Sequence, residues 1–371
     1  MSELINSCDN RATIRWKLLT GASALALTTY VSSGSMARAE DTSHPLLWLE
    51  LGGQFDSLTN PSEVWTPPNL PPVIDHPVTG VLSETPRIGY DLDGKLTFRP
   101  NDSDWNFSAA IKFGKAKRGP RLAHDQSYQT HKTTQASKYV PTTYAFTNLN
   151  KVEETKHLIL DFQAGKDVGL GLFGGHGDST VNFGIRIAQF HEKSDSLMSA
   201  QTNVPGSKYR GTILDAYSHE LREFRGVGPS VDWSGSVPFA GSMQDGLTFD
   251  WGVNAALLFG RQNTKVRTHS ENRYYTGGYS YYFTSGGGIV YHYNTAVRSN
   301  VPHTFVRRKN VTVPNLGGTV GLSFRKGHAK ISFGYKADFF FNAIDGGIAA
   351  AKKENRGFYG PFASISIGIG D

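Results

Sequence analysis

The chain has 371 residues, a formal charge of +6, 41 glycines, 22 phenylalanines, 16 tyrosines and one cysteine. A single cysteine excludes a disulfide framework and any cysteine cluster for a metal. No run after the first forty residues is apolar over eighteen positions, which excludes a transmembrane helix there.

The N-terminus has the layout of a secretory signal. Arg11, Arg15 and Lys17 precede an apolar stretch from Leu18 to Val31, and Ala37-Arg38-Ala39 offers a small-x-small cleavage site. Residues 1–39 are therefore expected to be a cleavable signal peptide and 40–371 the mature domain. Cys8 falls inside the signal, ahead of its apolar stretch.

Beyond it, segment after segment alternates apolar and polar residues. The spacing predicts strands over 46–55, 87–98, 105–114, 156–171, 181–188, 227–240, 247–260, 316–325, 329–342 and 359–369. In the seventh, Leu247, Phe249, Trp251, Val253, Ala255, Leu257 and Phe259 share one face. In the ninth, Phe340 sits on the polar side of an otherwise regular alternation. A soluble sandwich also alternates, but its strands average five or six residues and bury their apolar face as a core. Here segments reach fifteen residues and their polar faces carry opposed charges. The reading is an all-β, antiparallel transmembrane barrel whose apolar side meets lipid.

Short connections at Arg99–Asp104, Gly174–Asp178, Ala240–Gly246 and Lys326–Gly327 alternate with long ones at 56–86, 116–155, roughly 193–220, 262–315 and 343–355. That asymmetry suits short periplasmic turns and long extracellular loops, with both ends of the chain periplasmic. Ten strands result, or twelve if Ile289–Val297 and Tyr209–Tyr217 also pair.

The polar faces carry sixteen candidate pore-lining residues, eight of each sign. The acids are Glu50, Asp91, Asp93, Asp161, Asp167, Asp232, Asp250 and Asp338; the bases are Arg87, Lys95, Arg99, Lys112, Arg186, Arg325, Lys330 and Lys336. Equal numbers argue for a lumen crossed by ion pairs, either as a polar ion path or as structural filling, and against a single-sign selectivity ring. A ten-stranded barrel is also narrow.

Other patterns carry less. Gly169-x-Gly171-x-x-Gly174 has the spacing of a dinucleotide fingerprint, but no helix follows to receive a phosphate. Asp215, His219 and Glu220 lie close enough for an acid–His pair at the outer rim, where a solvated rim is the blander account. Lys115, Lys117, Arg118, Arg121, Lys132 and Lys138 face Asp125 alone in one predicted loop, a patch suited to lipopolysaccharide phosphates or to plain solubility. His176 falls in a short turn.

Several stretches resemble the Legionella-type pore-forming outer-membrane protein family. They are Asp161–Gly171 (DFQAGKDVGLG) with Val181–Phe190 (VNFGIRIAQF), then Phe224–Pro229 (FRGVGP) and Gly252–Gly260 (GVNAALLFG). The resemblance covers roughly residues 155–262 and implies a porin-like barrel in a Gram-negative outer membrane. The expected function is passive diffusion of small polar solutes or ions without a cofactor. The expected partners are outer-membrane lipid and lipopolysaccharide, not nucleic acid. A surface adhesin or structural barrel with a plugged lumen is the alternative, and a rim hydrolase a third; no enzyme activity is expected.

Overall fold

The computed structural model describes residues 46–59, 87–100, 103, 105–129, 143–168, 178–203, 213–241, 245–286, 289–299, 302–347 and 353–370. The signal segment 1–39, the glycine-rich 169–174 and His176 lie outside them. Every element is a strand: β1 (Leu47–Thr59), β2 (Arg87–Phe98), β3 (Trp105–Gln129), β4 (Thr143–Asp167), β5 (Asp178–Asn203), β6 (Ile213–Gly241), β7 (Asp245–Phe283), β8 (Ile289–Ser299), β9 (His303–Lys326), β10 (Ala329–Asp345) and β11 (Lys353–Ile369).

All neighbours pair antiparallel. The ring runs β1-β2-β3-β4-β5-β6-β7-β9-β10-β11 and closes where β1 meets β11, with Leu47 opposite Ile369 and Thr59 opposite Gly357. Closure leaves no unpaired strand edge in the ring, which is what a sheet crossing a bilayer needs, where an unsatisfied backbone group would cost several kcal/mol. The barrel therefore has ten strands. β8 is the source of the weaker alternation at 289–297, but it pairs only with the distal third of β7, from Glu271 to Phe283, and adds no stave. Residues 213–217, the other candidate, are the start of β6 itself.

The outer face carries an apolar band. Ile88, Leu92, Phe107, Phe183, Val320, Phe333 and Ile365 all point outward, Phe183 with 65 % of its surface exposed and Phe333 with 62 %. On β4 the band runs from Leu158 to Ala164 between the outward Lys156 and Lys166. On β5 it stops after Ile187, and Gln189, His191, Lys193 and Asp195 follow outward. That height fits the 9–11 residues a tilted strand needs to cross hydrocarbon.

The strands do not stop where the band does. Residues 116–129, 143–155, 193–203, 262–283 and 303–315, expected in long loops, are paired strand. Outward polar residues end the apolar alternation but leave backbone hydrogen bonding free to continue, so the sheet extends beyond the apolar band as a wall. At the opposite end the turns are tight. Lys326 pairs with Ala329, and Gly327 at φ 57° takes the positive-φ first central position of a two-residue hairpin.

Candidate functional site: the lumen

Three levels fill the interior. Nearest the tight turns is a charged vestibule of about 440 Å³. Its wall holds twelve of the sixteen candidates: Glu50, Asp93, Lys95, Lys112, Asp161, Arg186, Asp232, Asp250, Arg325, Lys330, Lys336 and Asp338. Asp91 sits just behind the wall, against Lys112. Asp167 is half-buried at the end of β4. Arg99 follows β2, its amide bonded to the Leu46 carbonyl. Arg87 opens β2, and its side chain lies outside the description.

Opposite charges are brought together. Lys330 meets Asp250 at 2.6 Å, Lys336 meets Asp93 at 3.4 Å, and Lys112 is shared between Asp91 at 2.9 Å and Asp338 at 3.6 Å. Arg186 donates from Nε to Asp161 Oδ1 at 2.7 Å and from a terminal nitrogen to Oδ2 at 2.9 Å, the fork geometry that makes such pairs strong. Its other nitrogen reaches across to Asn254 and Asn315. Arg325 lies over the Trp48 ring at 5.3 Å. Glycines make room for these groups. A Cβ on Gly317 would stand 2.2 Å from Asp338 Oδ1, and one on Gly165 would stand 1.8 Å from Asn182 Oδ1.

Above the vestibule the polar phase of the strands turns apolar. Phe190 of β5, Phe224 of β6, Phe340 of β10 and Phe358 of β11 point inward and are buried, with Leu258 and Val313 beside them. Phe190 lies 4.7 Å from Phe340 edge-on, 5.6 Å from Phe224 and 5.7 Å from Phe358 between ring centres. Strand parity carried two residues past Ala188 places Phe190 inside. Phe340 had already broken its alternation. Those two signals in the sequence mark the layer; neither identifies it as a single cluster.

Beyond the aromatic layer is an ionic one that the sequence reading missed entirely. Arg356 bonds Glu192 and Glu354, and Arg222 bonds Glu354 at 2.7 Å and Glu192 at 3.3 Å. All four side chains are almost wholly buried. Arg307 pairs with Asp345 at the outer end. Burial alone would raise the Asp345 carboxyl, but the Arg307 hydrogen bond and charge, with Lys309, hold it below the ordinary carboxylate range. Glu354, Arg307 and Asp345 lie in segments expected to be loops, and Glu192, Arg222 and Arg356 lie between those segments and the expected strands, so their shared inward phase was not read.

The outer rim offers no Asp215–His219 pair. His219 takes its hydrogen bond with Asp195 of β5, on the outward face, and the hydrogen bond to His219 lowers the Asp195 carboxyl. Glu220 points inward beside Arg222. Of the basic patch, Lys115 is on β3 facing outward and pairs with Glu154 at 3.4 Å. The side chains of Arg118, Arg121, Lys132 and Lys138 lie outside the described residues.

No protein-family model matches the chain, and no curated protein matches it. Among solved structures it is similar to the transport unit of the autotransporter AIDA-I from Escherichia coli, at 7% identity and a TM-score of 0.24, covering 94% of this chain and 97% of that one. It is also similar to the translocator domain of the autotransporter NalP from Neisseria meningitidis, at 9% identity and TM-score 0.20, covering 96% of each chain. A third is a mutant of the monoaromatic hydrocarbon channel TodX, at 8% identity and TM-score 0.20, covering 86% of this chain and 88% of that one. At those scores the matches carry no argument; the closed ten-stranded barrel stands on its own pairing.

Proposed function

We propose that the chain is an outer-membrane barrel that acts as a narrow, gated pore for small polar solutes or ions, closed in the conformation described. The single observation that carries this reading is the change of chemistry along one lumen. A vestibule walled by charges of both signs ends on one layer of Phe190, Phe224, Phe340 and Phe358, packed on one another with His157 at one edge. A purely structural filling has no need of an open charged chamber. An apolar constriction on a polar path is a gate that excludes water and ions until it widens. The apolar outer band and ring closure support the membrane setting.

The buried Arg356–Glu192 and Arg222–Glu354 pairs favour a second reading, a permanently plugged barrel whose long outer wall serves adhesion or structure. Planar-bilayer recording of the folded protein separates the two. Small, infrequent conductance steps are expected for the pore. Silence at every voltage, from protein shown to be inserted, leaves the plugged barrel.

A further inference from the structure

The aromatic layer has one polar corner. On the β1–β2–β4 side, at the edge of Phe358, Asp56, Asp91 and His157 converge, each at most 2 % exposed. One ligand atom from each lies within 4.8 Å of the others. We propose that this corner is a binding site for a divalent transition-metal cation of the zinc type, held by two carboxylates and one imidazole. The proposal stands independently of the pore reading.

Register builds the corner. Asp91 on β2 and His157 on β4 both lie opposite Gly114 of β3, so one glycine separates them across the sheet. A Cβ on Gly114 would stand 1.8 Å from Asp91 Oδ1 and 2.2 Å from the His157 ring. Only a residue without a side chain lets the two groups meet over it. They approach to 3.1 Å, His157 Nε2 to Asp91 Oδ1. Two donors each about 2.0–2.1 Å from a tetrahedral ion stand about 3.3 Å apart, so little movement separates this arrangement from a bound one.

Charge points the same way. Lys112 is divided between Asp91 and Asp338, its ammonium oriented by Gln54 Oε1 at 3.0 Å, and Lys336 serves Asp93. Asp56 is left buried at 1 % exposure with no lysine or arginine on it, its carboxyl facing that of Asp91. Two carboxylates buried side by side repel unless a cation or a shared proton lies between them. A dication at the corner would satisfy Asp56, Asp91 Oδ1 and His157 Nε2 together. Imidazole with carboxylate oxygen suits zinc and its neighbours better than calcium or magnesium, which take oxygen alone. Lys112 and Asp93 stand on the vestibule wall, so the corner is one side chain away from an aqueous approach. His157 also packs on Phe358 at 3.9 Å, so a filled site would fix one edge of the layer.

The test is titration of the folded full chain in detergent with zinc chloride, followed by calorimetry, and with cobalt chloride, followed by its visible spectrum. The expected result is one equivalent per barrel, a tetrahedral cobalt spectrum without sulfur bands, and a higher melting temperature with zinc. D56N keeps the volume of Asp56, and H157Q removes the imidazole; each should weaken zinc by more than about 100-fold, beyond what loss of a supporting outer ligand does. Among the described residues, the outward pairs His191–Glu223 and His219–Asp195 each join an imidazole to a carboxylate and could compete for zinc. The double variant H191Q/H219Q should therefore bind as the wild type does. Absence of stoichiometric binding, unchanged affinity in D56N, or loss in H191Q/H219Q overturns the proposal. Should neither buried variant fold, the cobalt spectrum of H191Q/H219Q decides alone: its presence supports the site and its absence sinks it.

Discussion

Phe190 and Phe340 touch across the lumen, their ring centres 4.7 Å apart and their planes at 68° in an edge-on contact, although β5 and β10 are not neighbours in the ring. A contact between distant staves is a bar across the interior. It sits where the charged vestibule ends.

Removing that bar should open the path. The double variant F190A/F340A deletes two rings from a layer one residue deep and is expected to raise the frequency and size of conductance steps in planar bilayers well above the wild type. Each truncation also leaves a void, and Phe→Ala in a packed interior costs about 3–5 kcal/mol. Folding of the variant is therefore checked first, by migration of unheated against heated protein. Folded F190A/F340A without added conductance would count against the gate.

The ionic layer makes a different demand. Arg356 neutralises Glu192 and Glu354, all three buried. Breaking a buried pair on one side typically costs about 3–5 kcal/mol, because the surviving charge is stranded. R356M should therefore lower the urea midpoint of the folded barrel markedly. R356M/E192Q should recover part of the loss, since one stranded carboxylate is gone. Equal destabilisation of the single and double variants would show that Arg356 stabilises by packing alone.

How much of this was open to reading in the residues depends on what the outer face does. Where outward positions are apolar, as at Phe183, Ile185 and Ile187, alternation gives both strand and phase, and Arg186 is placed inside correctly. The same reading put twelve charged residues on the vestibule wall. Where outward positions turn polar, as at Gln189, His191 and Lys193, the two-residue period of hydrophobicity vanishes while pairing persists. Glu192, Arg222, Glu354 and Arg356 all lie in or beside such stretches. Asp56 was lost for a related reason, falling one residue past the expected end of β1. His157 lay in a predicted strand, but only the register across Gly114 shows what it faces.

The outward pair of Asp195 and His219 gives a pH dependence of known sign. The hydrogen bond from His219 lowers the Asp195 carboxyl from its ordinary 3.8, with Lys193 adding to the effect. A depressed acid contributes stability above its unfolded value, and that contribution is lost as pH falls through the folded one. The pair is half exposed, so the contribution is below about 1 kcal/mol. In an NMR titration the Asp195 carboxyl should protonate below pH 3.8 in the wild type and move up toward that value in H219Q. No movement in H219Q would mean that Lys193 alone sets it.

Sidedness of the wall admits the most direct check. Val231 and Ser234 lie three residues apart on β6, but Val231 points outward into the apolar band, whereas Ser234 lines the vestibule and bonds Asp232 at 3.2 Å. An arginine on the lipid face of such a barrel costs about 2–4 kcal/mol near the midplane, since its charge has no water or counter-ion there. In the lumen it would gain a carboxylate. V231R should lose that much stability in lipid vesicles, while S234R should remain near the wild type. A reversed order would mean that the face assigned to hydrocarbon is the wet one, and the barrel would have to be read inside out.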